Sequence, residues 1–314
     1  MKSSNIEVFI LTYNRVKYLK YAIDSILNQS LKPFRLTIID NGSTDTTYDF
    51  CQIYLPSDIN YCRIEKNNQF GVWEQIKKSI ISEYLMVFHD DDLLHFNYLK
   101  YVQNVIDLNQ RVAIVGCGTG ISSISKIDNY SFNQGSAKFK LYNTISLAGL
   151  LFRGFPLPFC SIVYKSEYFL KANFNFELYG KFFDRPLILD ISKNGDVVIF
   201  RNKFVRTFTH PNQDSMSISH GGNELKLLSV IKSYKDILGV SFFNRWSFIF
   251  IIFNYKRLLD FHRWNGNESS KFVFLSKALK YSATTYSSLI IGAIYYYFFD
   301  IKSKVRFVIN VVKG

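Results

Sequence analysis

Short apolar runs alternate with amphipathic stretches through the first 116 residues. "IEVFIL" (6–11) predicts a strand, and "YLKYAIDSILNQ" (18–29) predicts a helix, because its apolar residues recur at three- and four-residue spacing. "FRLTIID" (34–40) reads as a second strand, and a Gly-Ser-Thr turn then feeds "TTYDFCQIYL" as a helix. "NYCRIEK" (60–66), "YLMVFH" (84–89) and "VAIVG" (112–116) supply three more strands, with helices between them. Repeated β-α-β order predicts a mostly parallel central sheet with helices on both faces. Ligands of such sheets bind beyond the carboxyl ends of the strands. "TYN", "DNGSTD" and "HDDD" all fall at those ends, so three polar motifs converge on one edge.

The pattern weakens in residues 117–145, rich in Ser, Gly and Asn, which read as a long loop or insertion. From 146 to 215 mixed α/β patterning returns: "DRPLILDISKNG" predicts a helix ended by Gly195, and "DVVIF" a strand after it. "VGCGTG" (115–120) has the look of a dinucleotide fingerprint, but Ile121 stands where the third glycine belongs and no clear helix follows. Beyond about residue 240 the chain turns aromatic and apolar, punctuated by Lys and Arg. The uncharged run 281–299 is 19 residues long, close to a bilayer span, yet polar through its Ser, Thr and Tyr. A helix packed on the rest of the protein and a membrane-contacting helix both fit it.

Composition narrows the partners. The 314 residues are 48% hydrophobic and 17% aromatic, which implies an ordered globular protein, and the formal charge of +13 implies an anionic partner. Eleven Lys/Arg against three Asp/Glu in residues 240–314 concentrate that charge in the tail, as suits an anionic membrane surface. No nucleic-acid-binding motif or basic stripe is present. The cysteines (Cys51, Cys62, Cys117, Cys160) are scattered without a Cys-x-x-Cys pair, which argues against a zinc site and a disulfide framework and suits a reducing compartment. The N-terminal segment reads as a first strand rather than a signal peptide.

Asp90, Asp91 and Asp92 carry the candidate chemistry. Adjacent carboxylates repel, and hard divalent cations such as Mn²⁺ or Mg²⁺ prefer carboxylate oxygen and accept phosphates as further ligands. The plainer reading makes Asp92 a cap for the helix that follows. Asp40 can accept from a pyrimidine N–H, and Thr12 and Asn14 can bond ribose or base; alternatively "DNGSTD" is a tight turn and helix cap.

"FILTYNR…IIDNGSTDTT…NNQFGVWEQIKKSI…YLMVFHDDDLL" resembles the nucleotide-sugar-binding half of family 2 glycosyltransferases with the GT-A fold, closely over residues 5–100 and more loosely to about 215. The resemblance implies that Asp90, Asp91 and Asp92 hold a divalent metal on the donor's diphosphate, with His89 standing where the family commonly has its first Asp. It implies that Thr12, Tyr13, Asn14, Arg15 and Asp40 hold a uridine-type nucleotide, beside the Asn68–Gly71 loop. The spacing from Asp184 to Gly195 resembles the family's catalytic-base motif, with Phe183 in place of the usual Glu. "FTHPNQDSMS" resembles its closing segment, with His210 at the phosphate or metal and Phe208 where an Arg is usual.

The expectation is an inverting, metal-dependent glycosyltransferase moving a sugar from a UDP-type donor to a glycan hydroxyl. The expected acceptor is a glycan or a polyprenyl-diphosphate-linked one, in surface-polysaccharide (O-antigen or capsule) synthesis, with the enzyme peripheral on the cytoplasmic face of the membrane. Residues 1–220 form the catalytic domain (1–116 donor half, 117–220 acceptor half) and 221–314 a helical tail. The rival readings are a sugar-nucleotide nucleotidyltransferase, disfavoured by the absence of a Gly-rich loop after the first strand, and a non-enzymatic basic membrane-binding protein.

Overall fold

A computed structural model describes residues 3–127, 130–132, 136–152, 157–210 and 223–239. The tail beyond 239, with the 281–299 run, lies outside the described residues, as does most of the segment after His210.

The chain runs β1 (Ile6–Thr12), α1 (Val16–Leu27), β2 (Arg35–Asp40), α2 (Thr47–Tyr54), β3 (Asn60–Arg63), α3 (Gln69–Ser79) and β4 (Tyr84–His89). There follow β5 (Asp92–Leu94), α4 (Tyr98–Leu108), β6 (Val112–Ser123), β7 (Phe139–Tyr142), α5 (Thr144–Phe152) and β8 (Val163–Lys165). The short helices α6 (Ser166–Lys171) and α7 (Phe176–Tyr179) lead to α8 (Asp184–Ser192), β9 (Asp196–Thr209) and α9 (Asn223–Leu238).

β1 and β4 are buried along almost their whole length, as strands covered on both faces must be, and this explains their unbroken apolar runs. α1 buries Leu19, Ala22, Ile23 and Ile26, the one-face spacing its sequence announces. The strand order is β3-β2-β1-β4-β8-β6-β9-β5, with β7 also on β9. Strands β3, β2, β1 and β4 are mutually parallel, and so are β6 and β9; the pairings of β8, β5 and β7 are antiparallel. The sheet is therefore mixed, with its parallel character concentrated where the three polar motifs sit.

Two expectations need correction. Residues 117–145 are not one loop: β6 continues to Ser123, and β7 follows at 139–142. Gly116, Gly118 and Gly120 lower strand propensity, but pairing with β9 overrides it, through register shifts around Cys117–Thr119 that split the ladder in two. This also disposes of the "VGCGTG" fingerprint, since those residues lie within a strand rather than at a strand–turn–helix junction. Asp92 is not a helix cap: it opens β5, and α4 begins six residues later behind Asn97.

The chain forms two compact units. The first comprises Met1–Thr144, Pro156–Phe174 and Leu187–Ile218 and holds the sheet; the second comprises Ile145–Phe155, Asn175–Pro186 and Ser219–Gly314. In the second, Phe152 packs on Tyr234 of α9 at 5.3 Å between ring centroids, and Phe176 on Phe183 at 4.5 Å.

Buried Gln29 ties the end of α1 to the segment that follows the aspartates. Its Nε2 donates to the His95 carbonyl at 2.9 Å and the Ser25 carbonyl at 3.1 Å, and its Oε1 accepts from Leu99 N at 3.1 Å. Gln29→Ala would leave a buried carbonyl and N–H unpaired. We expect a loss of about 2 kcal/mol in urea unfolding, and an unchanged midpoint would show that water replaces the amide without cost.

Candidate functional site

The first strand of the site ends at Thr12, and the chain then turns through Asn14 with φ of 54°, a left-handed conformation that asparagine tolerates better than most residues. Asn14 is held there by the facing loop. Its N–H donates to Ser43 Oγ at 2.9 Å, and its Oδ1 accepts from Thr44 N at 2.7 Å and Asp45 N at 3.3 Å. Tyr13 stands partly exposed beside it. Gly42 also has a positive φ, and a Cβ there would meet Asn67 N at 2.8 Å, so the turn after β2 requires glycine.

Asp40 is fully buried at the end of β2. Its Oδ1 accepts from Ser43 N at 2.8 Å and its Oδ2 from the Tyr61 hydroxyl at 2.6 Å. Burial first, and then this bond to Asp40, push the Tyr61 phenol well above its ordinary pKa. Asn68 caps α3, its Oδ1 accepting from Phe70 N and Gly71 N; a Cβ at Gly71 would come within 3.1 Å of the Asn68 side chain. Asn41 links these loops, its N–H donating to the Thr12 carbonyl and its Oδ1 accepting from Asn68 N.

The three aspartates occupy the short passage from β4 to β5 and are all buried, at 1%, 4% and 2% exposure for Asp90, Asp91 and Asp92. Arg15 Nη1 lies 3.2 Å from Asp90 Oδ1 and 3.3 Å from Asp91 Oδ2. His210, at the end of β9, places Nε2 2.7 Å from the same Asp91 oxygen, and its ring packs on Tyr18 at 5.0 Å. Asp92 makes a different contact, 3.4 Å from His89 Nδ1. Burial above all, then the charge of Asp91, pushes Asp90 up to about 7 against the opposing pull of Arg15. Asp90 Oδ2, Asp92 Oδ2, Thr12 Oγ1 and His210 Nδ1 are buried without a hydrogen-bond partner. Carboxylate oxygens left unpartnered in low dielectric, with an imidazole beside them, make a donor set that fits a divalent cation such as Mn²⁺ or Mg²⁺.

The structure thus brings Arg15, Asp90, Asp91 and His210 into direct contact, and gathers Thr12, Asn14, Asp40 and the Asn68 loop through Asn41, Ser43 and Thr44. Asp184 belongs to the second compact unit, where it opens α8 and its Oδ1 accepts from Arg185 N at 2.9 Å. Sequence reasoning missed Tyr61, Tyr18 and Cys160. None of these sits in a polar motif; tertiary contacts bring Tyr61 to Asp40, Tyr18 to His210 and Cys160 to Asp92.

Residues 7–164, half of the chain, match the family described as "Glycosyl transferase family 2". The chain belongs to this family. Among its relatives, glycosyltransferase GlyG of Streptococcus pneumoniae serotype 4 is 24% identical over 146 residues, covering 45% of this chain and 44% of that protein. An uncharacterised glycosyltransferase of Rickettsia typhi is 26% identical over 192 residues, covering 56% and 58%. The chain therefore spans about half the length of these relatives.

In shape the chain is similar to S. aureus TarS 1–349 in complex with UDP: TM-score 0.54 at 16% identity, covering 78% of this chain and 71% of that one. TarS 1–349 in complex with UDP-GlcNAc gives 0.54 at 15% identity, over 78% and 72%. The fold is GT-A.

The raised pKa of Asp90 makes a signed prediction. A carboxyl with its folded pKa above the unfolded value keeps a proton that the unfolded chain has released, so stability falls as pH rises from about 4 to about 7. Asp90→Asn removes this term. In metal-free buffer the variant should be more stable than the parent at pH 8, by roughly 2–4 kcal/mol, with little difference at pH 4. Urea unfolding at both pH values checks it; equal stability at pH 8 would mean that Asp90 ionises at no cost.

Proposed function

We propose that this chain is an inverting glycosyltransferase that moves a sugar from a nucleotide-diphosphate donor, a UDP-sugar, to a hydroxyl of a glycan acceptor. The observation that carries the reading is the buried aspartate cluster with its unpartnered oxygens, flanked by Arg15 and His210 at the carboxyl edge of the parallel strands. Family membership supports it, and the UDP and UDP-GlcNAc complexes of TarS support the donor class.

In this reading Thr12, Tyr13, Asn14 and Asp40 with the Asn68–Gly71 loop hold the nucleoside, and Arg15 and His210 approach the diphosphate. Tyr61 occupies one oxygen of Asp40, so a base N–H would take that oxygen only as the phenol moves aside. Asp90, Asp91 and His210 are the residues to hold a divalent cation, with Asp92 beside them. When bound, that cation would offset the charge gathering on the leaving diphosphate. Asp184 takes the proton from the acceptor hydroxyl as its oxygen bonds to the anomeric carbon and the carbon–oxygen bond to the diphosphate breaks. The nucleoside diphosphate leaves with that electron pair, and the anomeric configuration inverts.

The lipid-linked acceptor, the role in surface-polysaccharide synthesis and the cytoplasmic, membrane-peripheral setting belong to the same proposal. Its support is the basic, aromatic tail from about 221. No helix among the described residues is long and apolar enough to cross a membrane.

Two measurements test the reading. UDP binding followed by calorimetry should require Mn²⁺ or Mg²⁺, vanish in EDTA, and weaken at least about tenfold in Asp91→Ala, the scale of losing one charged contact. Metal-independent binding of full strength would overturn the cation assignment. Asp184→Asn should bind UDP as the parent does while turnover falls roughly 10²-fold or more. Normal turnover would place the base elsewhere, with Asp190 next to be tested.

A further inference from the structure

The three adjacent aspartates divide their contacts. Asp90 and Asp91 meet Arg15 and His210, whereas Asp92 meets His89 and Cys160. One ligand atom from each of His89, Asp92 and Cys160 lies within 4.8 Å of the other two. We propose that His89, Asp92 and Cys160 form a binding site for one borderline divalent cation of the Zn²⁺ class, separate from the Asp90–Asp91 pair.

Four features carry this. The first is the donor set: a thiolate and an imidazole with one carboxylate suit Zn²⁺ or Co²⁺, whereas Mg²⁺ favours oxygen alone. The second is Asp92 itself, 2% exposed, whose Oδ2 lies 3.4 Å from His89 Nδ1 without making a hydrogen bond. A buried carboxylate is costly unless something positive meets it; here that is the His89 ring when protonated, and a bound cation would take over that role. The third is the frame. His89 is fixed by the β4–β1 pairing opposite Leu11, and Asp92 by the β5–β9 pairing opposite Thr207. Cys160 sits in a 3₁₀ turn (Phe159–Ser161), where Ser161 Oγ donates to the Cys117 carbonyl at 2.9 Å and the Tyr98 hydroxyl donates to the Ser161 carbonyl at 2.6 Å. The fourth is access. The His89 side chain is 44% exposed, which leaves room for the ring to close on a cation and a solvent side for a water ligand.

Metal–sulfur and metal–nitrogen bonds of about 2.3 and 2.0 Å hold tetrahedral ligands roughly 3.5 Å apart, so small side-chain movements would bring the three ligand atoms onto one cation. Cys160 would bind as thiolate and His89 as neutral imidazole, and the protons both carry would leave to solvent. Burial first, then the charge of Asp92, holds the thiol's pKa well above its ordinary value in the absence of a cation, so the thiol stays protonated until one arrives. This site does not rest on the donor assignment. It would exist in a protein that bound no UDP.

The test is a Co²⁺ titration of the metal-free full-length chain, read by absorption. One equivalent should give the near-ultraviolet sulfur-to-cobalt band and the visible bands of a four-coordinate ion, and Zn²⁺ should bleach both. Cys160→Ser should abolish the sulfur band, and His89→Ala should weaken Co²⁺ binding at least tenfold. Asp91→Asn and Cys62→Ser should leave the band in place. Absence of the band in the parent, its survival in Cys160→Ser, or its loss in Cys62→Ser would overturn the proposal. Should Cys160→Ser fail to fold, the exposed His89 decides: undiminished Co²⁺ affinity in His89→Ala would overturn it too. Failure of UDP binding in the same preparations, with the band intact, would count against the donor reading alone.

Discussion

Three consecutive buried carboxylates are the constraint to which the rest of this structure answers. In low dielectric such charges are tolerated only when paired or protonated, and the chain uses both solutions. Arg15 bridges Asp90 and Asp91, His210 adds a second contact to Asp91, and Asp90 is pushed toward holding its proton near neutrality. Those two partners come from opposite ends of the first unit's sequence. Arg15 follows β1 and His210 follows β9, so the sheet brings together residues far apart in sequence to close the cluster.

The fold makes that convergence cheap. β4 runs parallel to β1, so its carboxyl end delivers the aspartates beside the turn that carries Arg15. The chain then leaves the parallel strands, and β5 pairs with the far segment of β9. The register shifts in the β6–β9 ladder let that segment of β9 serve β5 after its first segment has served β7. His210 is therefore placed by a strand whose apolar sequence announces only its first five residues.

Local period was enough to read β1, β4 and the helix α1, because those strands are continuous apolar runs and α1 shows a clean one-sided stripe, while the half-exposed β3 follows from its place in the β-α-β order. The polar motifs could be assigned to one edge for the same reason. Period failed where glycine interrupts a strand that pairing nevertheless keeps, from Cys117 to Ser123, and where strands follow one another out of sheet order, as β8 does between β4 and β6. Asp92 illustrates the limit. Its sequence context fits a helix cap or a third metal carboxylate, and only the tertiary arrangement sets it against His89 and Cys160. Tyr61 is similar, since no motif announces a phenol closing one oxygen of Asp40 from a neighbouring strand.

The charge balance of the cluster also constrains the proposed reaction. In the proposed reaction a diphosphate entering alone would bring its negative charge against a buried acidic cluster in which Arg15 is paired with Asp90 and Asp91, and His89 with Asp92. Drawing Arg15 away toward the diphosphate would strip Asp90 and Asp91 of a partner, and breaking a buried pair in this way costs about 3–5 kcal/mol. Asp90 and Asp91 would be free to release Arg15 if they held a divalent cation, which would also supply positive charge for the phosphates. In the proposed reaction a cation would therefore bind before or together with the donor, and Arg15, which pairs with Asp90 and Asp91, would be released toward the diphosphate.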